Sequence, residues 1–174
     1  MSRAFVKEDA PDGVVYIPPR APLPEGAVNF VTARGLGLLH AEMASLEAER
    51  ERLKKGDKHS ADRNRALTVA RGKITDLQSR IAGARLVVGS EQPQDEVRFG
   101  ATVTVKTTKG GKIGLKRTFT IVGVDEADLA TMRVGYIAPI ARTLIGLKQG
   151  ESATQMMGGK EETLEIVAIS YDSD

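Results

Sequence analysis

Apolar positions recur at alternating spacings of three and four over two stretches of the chain. Leu36, Leu39, Met43, Leu46 and Leu53 form one series, with Arg50 in one of its slots, and Leu67, Ala70, Ile74, Leu77, Ile81 and Ala84 form the other. A repeat of about 3.5 residues keeps side chains on one helix face and makes the seam of a coiled coil. Between the two series runs Lys54–Asp62, which is polar and carries Gly56. The second helix therefore folds back antiparallel on the first, with the polar segment at the tip. Each seam predicts a rod about 27 Å long at about 1.5 Å rise per residue. Two helices zipped only to each other make no globular core, so the core must lie elsewhere.

From Val97 the period changes to two. Ala101, Val103 and Val105 alternate with Thr102, Thr104 and Lys106, the mark of a half-buried strand. Lys109-Gly110-Gly111-Lys112 reads as the hairpin turn and Arg117–Val122 as the returning strand. Arg133–Ile137 reads as a third strand and Leu164–Ile169 as the last. Pro139–Leu147 fits a short amphipathic helix, with Ile140, Leu144 and Leu147 on one face. Strands plus one short helix make a small α+β domain.

The remaining segments divide the chain. Residues 1–31 hold five of the seven prolines, which fix φ and remove donors, so this is an extended arm and a mostly flexible tail. Within it Val14-Val15-Tyr16-Ile17 reads as a short strand or a patch docked on the body. Thr32 is placed to cap the first helix, while Gly35 and Gly37 weaken its first turns by about 1 kcal/mol each. Leu86-Val87-Val88 starts an extended connection, and Gly89–Glu96 is a linker by composition. The divisions are thus an arm over 1–31, a hairpin over 32–88, a linker over 89–96 and a β-rich domain over 97–174.

Composition narrows the function classes. Aromatic residues are 4% of 174, with no Trp, which argues against a reader of stacked bases. There is no Cys, so disulfides, thiolate metal sites and Cys nucleophiles are excluded. His40 and His59 stand far apart, too few for a structural zinc site. No apolar run approaches a membrane span and no signal-peptide pattern opens the chain, so a cytoplasmic protein is expected, with no membrane partner.

The order of hairpin, linker and small β-rich domain resembles the Gre family of bacterial transcription elongation factors. The closest strings are Phe99–Val105, Phe119-Thr120-Ile121-Val122-Gly123-Val124-Asp125-Glu126-Ala127-Asp128, and Ala138-Pro139-Ile140-Ala141-Arg142-Thr143-Leu144-Ile145-Gly146. They resemble the family's first strand, its IVG-x-DEAD segment and its SPIARALLG helix, with Ala138 where the family has Ser. The likeness runs from about Asn29 to Tyr171, and the proline-rich opening is similar to that of a GreB-like subgroup. It implies an FKBP-like fold for the β-rich domain and binding to RNA polymerase through it, with Pro139, Ile140 and Arg142 as candidate contacts. It implies that the hairpin enters the polymerase secondary channel, where tip acids help the polymerase hold a second Mg²⁺ and activate a water. The polymerase then cleaves the 3′ end of backtracked RNA. The factor itself is expected to be a monomer with no enzymatic activity and no cofactor of its own, Mg²⁺ being shared with the polymerase.

The tip departs from the family motif. Gly56-Asp57 matches its start and Ala61-Asp62 its end, but between them lie only Lys58, His59 and Ser60. The usual Glu and Asn are missing, and Arg63 replaces Tyr. Asp57 and Asp62 are the candidate acids, since hard carboxylate oxygens suit a second Mg²⁺. Each also has a plain structural reading, as a turn residue and as a helix N-terminal acid. His59 is a candidate metal ligand or proton carrier, though an exposed turn His more often serves neither role. Arg50, Arg52, Lys58, Arg63 and Arg65, with Lys54, Lys55, Arg71 and Lys73, outnumber Glu51, Asp57 and Asp62. Such a basic patch suits the phosphates of nascent RNA, or a solvated face with intrahelical ion pairs. The altered tip keeps open a rival function, a secondary-channel regulator that binds polymerase without promoting cleavage. A prolyl isomerase would need an aromatic pocket, for which the domain offers only Phe99, Phe119, Tyr136 and Tyr171. A coiled-coil scaffold is disfavoured by the short seam.

Overall fold

A computed structural model describes residues 15–172; the opening residues, with Pro11 and Val14, lie outside it. The element order is β1 (Asn29–Val31), α1 (Ala33–Lys54), α2 (Ala61–Ala82), β2 (Ala84–Leu86), β3 (Ala101–Lys109), β4 (Lys116–Val122), β5 (Arg133–Gly135), α3 (Pro139–Leu144), β6 (Ser152–Met157) and β7 (Lys160–Tyr171). The fold is α+β, a hairpin of two long helices followed by a β-rich domain. No helix among the described residues is long and apolar enough to cross a membrane.

Side-chain caps start both long helices. Thr32 Oγ1 accepts from the Gly35 N–H at 2.9 Å and Ser60 Oγ from the Arg63 N–H at 3.2 Å, each satisfying a donor that the first turn leaves without a partner. Along the seam Leu39, Leu46, Leu67, Ala70, Ile74 and Leu77 are buried, with Leu36, Met43 and Ile81 half-buried around them. Arg50 and Leu53 are half-buried, so the seam loosens toward the tip.

The sheet runs in the order β5-β4-β3-β7-β6, antiparallel except for the parallel β4–β5 pair. On β3, Ala101, Val103, Val105 and Thr107 point inward, alternating with half-buried Thr102, Thr104, Lys106 and Thr108. They pack with Val97, Phe119, Ile121, Leu164 and Ile166, and with Ala141 and Leu144 of α3, into one core.

One of the buried acids, Glu162, lies on β7. It accepts from Thr107 Oγ1 at 2.7 Å and lies 3.0 Å from Arg117 Nη2. The Thr107 hydrogen bond and the Arg117 charge hold its carboxyl below the ordinary value of 4.5. A carboxyl lowered by folding stabilises the fold above its unfolded pKa and loses that contribution as pH falls through its folded one. Chemical denaturation of a Glu162→Gln variant is therefore expected to show a flatter loss of stability below about pH 4.5 than the parent. Equal acid slopes would show that Glu162 is not linked to folding.

Two local expectations need correction. The Gly110-Gly111 segment is not a tight turn: the loop runs to Leu115, closed by Gly114 N–H donating to Thr107 O at 2.8 Å. The tight turn is Gly158-Gly159, both at positive φ, joining β6 to β7; two such residues match the twist of paired strands. Helix α3 ends at Leu144 rather than Leu147, because Gly146 sits at φ +95° and donates to Val97 O at 2.8 Å. Of the two readings of the Val14–Ile17 stretch, the described residues bear out the docked patch: Val15–Ile17 form no strand, and Ile17 rests on α2 in the space where Gly72 has no side chain.

The hairpin base is seated on the β-rich domain. Strands β1 and β2 pair in parallel, and Phe30 of β1 meets Phe99 and Tyr136, each with ring centroids 5.7 Å away. Gly123 permits this approach: a Cβ there would stand 2.7 Å from the Phe30 carbonyl oxygen. Thr32 Oγ1 donates to Glu126, whose buried carboxylate also takes Arg34 at 3.1 Å and Arg133 at 3.4 Å. Gly35 makes room for that carboxylate, since a Cβ would lie 2.8 Å from Glu126 Oε2.

Candidate functional site

The hairpin tip is built from α1's last turn, the loop Lys55–Ser60 and α2's first turn. Asp57 begins the return: its Oδ1 accepts from the His59 N–H at 3.0 Å, and its carbonyl accepts from Ser60 N–H at 3.2 Å. That Asx turn fixes the loop locally and leaves the carboxylate exposed to solvent. Asp62 lies exposed in the first turn of α2, where the dipole favours an acid. Among the described residues no group of three or more His, Asp or Glu is close enough to hold a metal. The tip thus presents carboxylates without forming a cage.

Arg63 stands apart from the other cations. Its Nε donates to Leu53 O at 2.8 Å, its Nη2 to Lys54 O at 3.0 Å and its Nη1 to Asn64 Oδ1 at 2.8 Å. The Leu53 and Lys54 carbonyls belong to α1's last turn, where the helical ladder runs out; Leu53 O also accepts from the Gly56 N–H at 3.1 Å. Arg63 is therefore a clasp between the two helices and is half-buried. Asn64 Nδ2 extends the clasp to Lys58 O at 3.2 Å.

Arg52, Lys58 and Arg65 are exposed around the same end. Arg50 is half-buried and lies 3.2 Å from Glu51, which also takes Lys54 at 2.7 Å. The Lys54 hydrogen bond, with Arg50, holds the Glu51 carboxyl below the usual carboxylate range. Part of the basic patch is thus answered within α1, and Arg52, Lys58 and Arg65 carry its outward charge. His59 sits exposed in the loop beside Asp57.

At the far end of the molecule, α3 opens on Pro139 at its first position, where a missing N–H has no consequence. Ala141 and Leu144 are buried and Ile140 packs against the core, leaving Pro139 and Arg142 exposed. Arg142 borders an open groove of about 430 Å³ lined by Pro24, Ala27, Tyr136, Ile137 and Ile145. Among the described residues no acid pairs with Arg142. The arm's share of this groove escaped sequence reasoning, since Pro24 and Ala27 carry no periodic signal. Tyr136 fixes that share by donating its hydroxyl to Val28 O at 2.5 Å.

Comparison with known proteins gives the family. Residues 92–171 match the family described as "Transcription elongation factor, GreA/GreB, C-term". The transcription elongation factor GreA of Francisella tularensis subsp. novicida is 34% identical over 120 residues, covering 68% of this chain and 72% of that protein. GreA of Methylococcus capsulatus is 35% identical over 101 residues, 58% of this chain and 62% of the relative. Among solved structures, the GreA/GreB factor of Nitrosomonas europaea covers 83% of this chain and 99% of that one, with TM-score 0.40 and 19% identity. On its sequence relatives and the family match, the chain belongs to the GreA/GreB family of transcription elongation factors.

Proposed function

We propose that this protein binds RNA polymerase through the surface around α3 and carries its hairpin tip into the secondary channel, where it stimulates cleavage of backtracked RNA by the polymerase. The observation that carries the reading is the tip, where an exposed carboxylate on Asp57 is held in a fixed turn at the end of a two-helix rod. Two carboxylates without a cage fit supplementary ligands to a metal anchored elsewhere, not a resident ion. Mg²⁺ would supply Lewis-acid stabilisation of the phosphate oxygens and a more acidic water. Asp57 supplies negative charge at that point and orients the water, and Asp62 assists from the first turn of α2. Arg52, Lys58 and Arg65 face RNA phosphates, which lowers the repulsion between the tip acids and the transcript. Arg63 keeps the tip in shape. The chain works in the cytoplasm as a monomer and has no nuclease activity of its own.

The test is transcript cleavage by purified polymerase stalled in a backtracked complex, with and without the protein. Acceleration supports the reading. Binding to polymerase without acceleration overturns it in favour of a channel-blocking regulator. The anchor is tested separately. An Arg142→Glu variant is expected to bind polymerase about tenfold more weakly, a loss of about 1.4 kcal/mol. A folded variant that competes for polymerase as well as the parent would remove α3 from the interface.

A further inference from the structure

We infer that the proline-rich arm is a strap whose Arg20, acting with Asp125, sets the direction of the hairpin relative to the β-rich domain; both are positioning residues for the tip. The inference rests on the function proposed above only for its consequence, not for its geometry.

The seat of the hairpin described so far is all at its base: β1, β2, the Phe30 ring and Glu126. Contacts at one end of a rod define a pivot. The arm adds contacts away from it. Arg20 forms a bidentate pair with Glu42 of α1, Nη1 to Oε1 at 2.8 Å and Nη2 to Oε2 at 2.6 Å. Glu42 is about 13 Å along α1 from its first residue. The same guanidinium donates from Nε to Asp125 Oδ1 at 3.2 Å, in the β4–β5 connection of the other body. Planar Arg suits this double use, since its donors point in fixed directions. Asp125 also takes α2, with Arg80 Nε 3.3 Å from Oδ2, and Arg80 donates back to the Ala21 carbonyl of the arm. One carboxylate thereby joins the arm, α2 and the β-rich domain, and its side chain is only 10% exposed. Partly buried ion pairs of this kind are screened far less than surface ones. Beyond Arg20, Ile17 seats on Gly72 of α2, about 15 Å from that helix's end. Pro18 and Pro19 lie between these two anchors and restrict the arm's backbone.

A tether at this height resists rotation about the base. With the angle held, the tip lies at one place relative to α3. Without it, the protein still docks but the tip samples a wider region, and fewer docked molecules have Asp57 in the right place.

The test uses the full chain. It has no Cys, so Thr68→Cys and Lys160→Cys accept spin labels cleanly, and double electron–electron resonance reads the distance between hairpin and domain. The parent is expected to give a single narrow distance. Asp125→Asn, and separately removal of residues 1–21, are each expected to lose that narrow distance in favour of a broad distribution. The same narrow distance in both variants overturns the inference. Should either variant lose helical circular dichroism, Glu42→Gln decides by the same criterion, because its side chain is 45% exposed. In cleavage assays these variants should reach half-saturation at the parent's concentration with a lower maximal rate. The label distances are taken without polymerase, so a failure of the proposed function leaves them standing, and their failure leaves that function untouched.

Discussion

An Asp57→Asn protein is expected to bind polymerase as tightly as the parent and to stimulate cleavage about 10²–10³-fold less. The substitution is chosen for what it keeps. Asp57 Oδ1 accepts from the His59 N–H, and the Asn side-chain carbonyl accepts in the same place, so the turn and the Arg63 clasp survive. What disappears is a unit of negative charge. A carboxylate that helps hold a Mg²⁺ and orient a water would act through that charge, which the neutral amide does not supply. Binding is spared because α3 lies in the other body. Asp62→Asn is expected to do less, since that acid also serves the α2 dipole and sits back from the turn. Equal cleavage by the parent and Asp57→Asn, where the parent is strongly active, would refute the role of Asp57. The measurement is the single-turnover cleavage rate at saturating factor.

The parts legible in the sequence were those with a strong local period. Leu39, Leu46, Leu67, Ile74 and Leu77 announce the seam by spacing alone, and the structure buries all of them. Ala101, Val103 and Val105 do the same for β3. Strand β6 gave no such signal, because it is an edge strand whose residues are exposed or half-buried, and an edge strand need not alternate. The apolar spacing of α3 continues to Leu147, although the helix ends at Leu144. The backbone reverses at Gly146 to reach Val97, and a tertiary hydrogen bond has no trace in a local window.

The candidate site divides in the same way. Gly56-Asp57 marks the tip acid, but Arg63 reads as one more surface cation until α1's end brings the carbonyls of Leu53 and Lys54 to it. Asp125 and Glu126 enter the sequence only within the string that resembles the family's IVG-x-DEAD segment, and both hold the hairpin to the domain. Gly35 looked like a flaw in α1 and is the gap that admits Glu126. Each partner comes from a distant part of the chain, where periodicity and propensity say nothing.

Leu77→Ala is expected to melt the hairpin while leaving the β-rich domain folded. Leu77 is 0% exposed and packs in a cluster with Val31, Leu39, Leu46 and Ile74. Truncating a buried Leu removes its transfer energy and leaves a cavity, a loss of about 2–5 kcal/mol. The cavity falls within the small cluster that joins the two helices, where each side chain carries a large share of the seam. The β-rich domain has a separate cluster, from Val97 and Val103 to Leu164 and Ile166, to which Leu77 does not belong. Helical circular dichroism should therefore fall at a lower temperature than in the parent, and the β3 and β7 amides should keep their protection from hydrogen exchange. Leu38→Ala is the matched control, because Leu38 lies on the same rod at 44% exposure and should change stability by no more than about 0.5 kcal/mol. A single transition in which β3 loses protection together with the helices would show that the hairpin and the domain fold as one unit. Two separated transitions would give the hairpin a stability of its own, low enough for the rod to loosen while the domain that carries α3 stays folded.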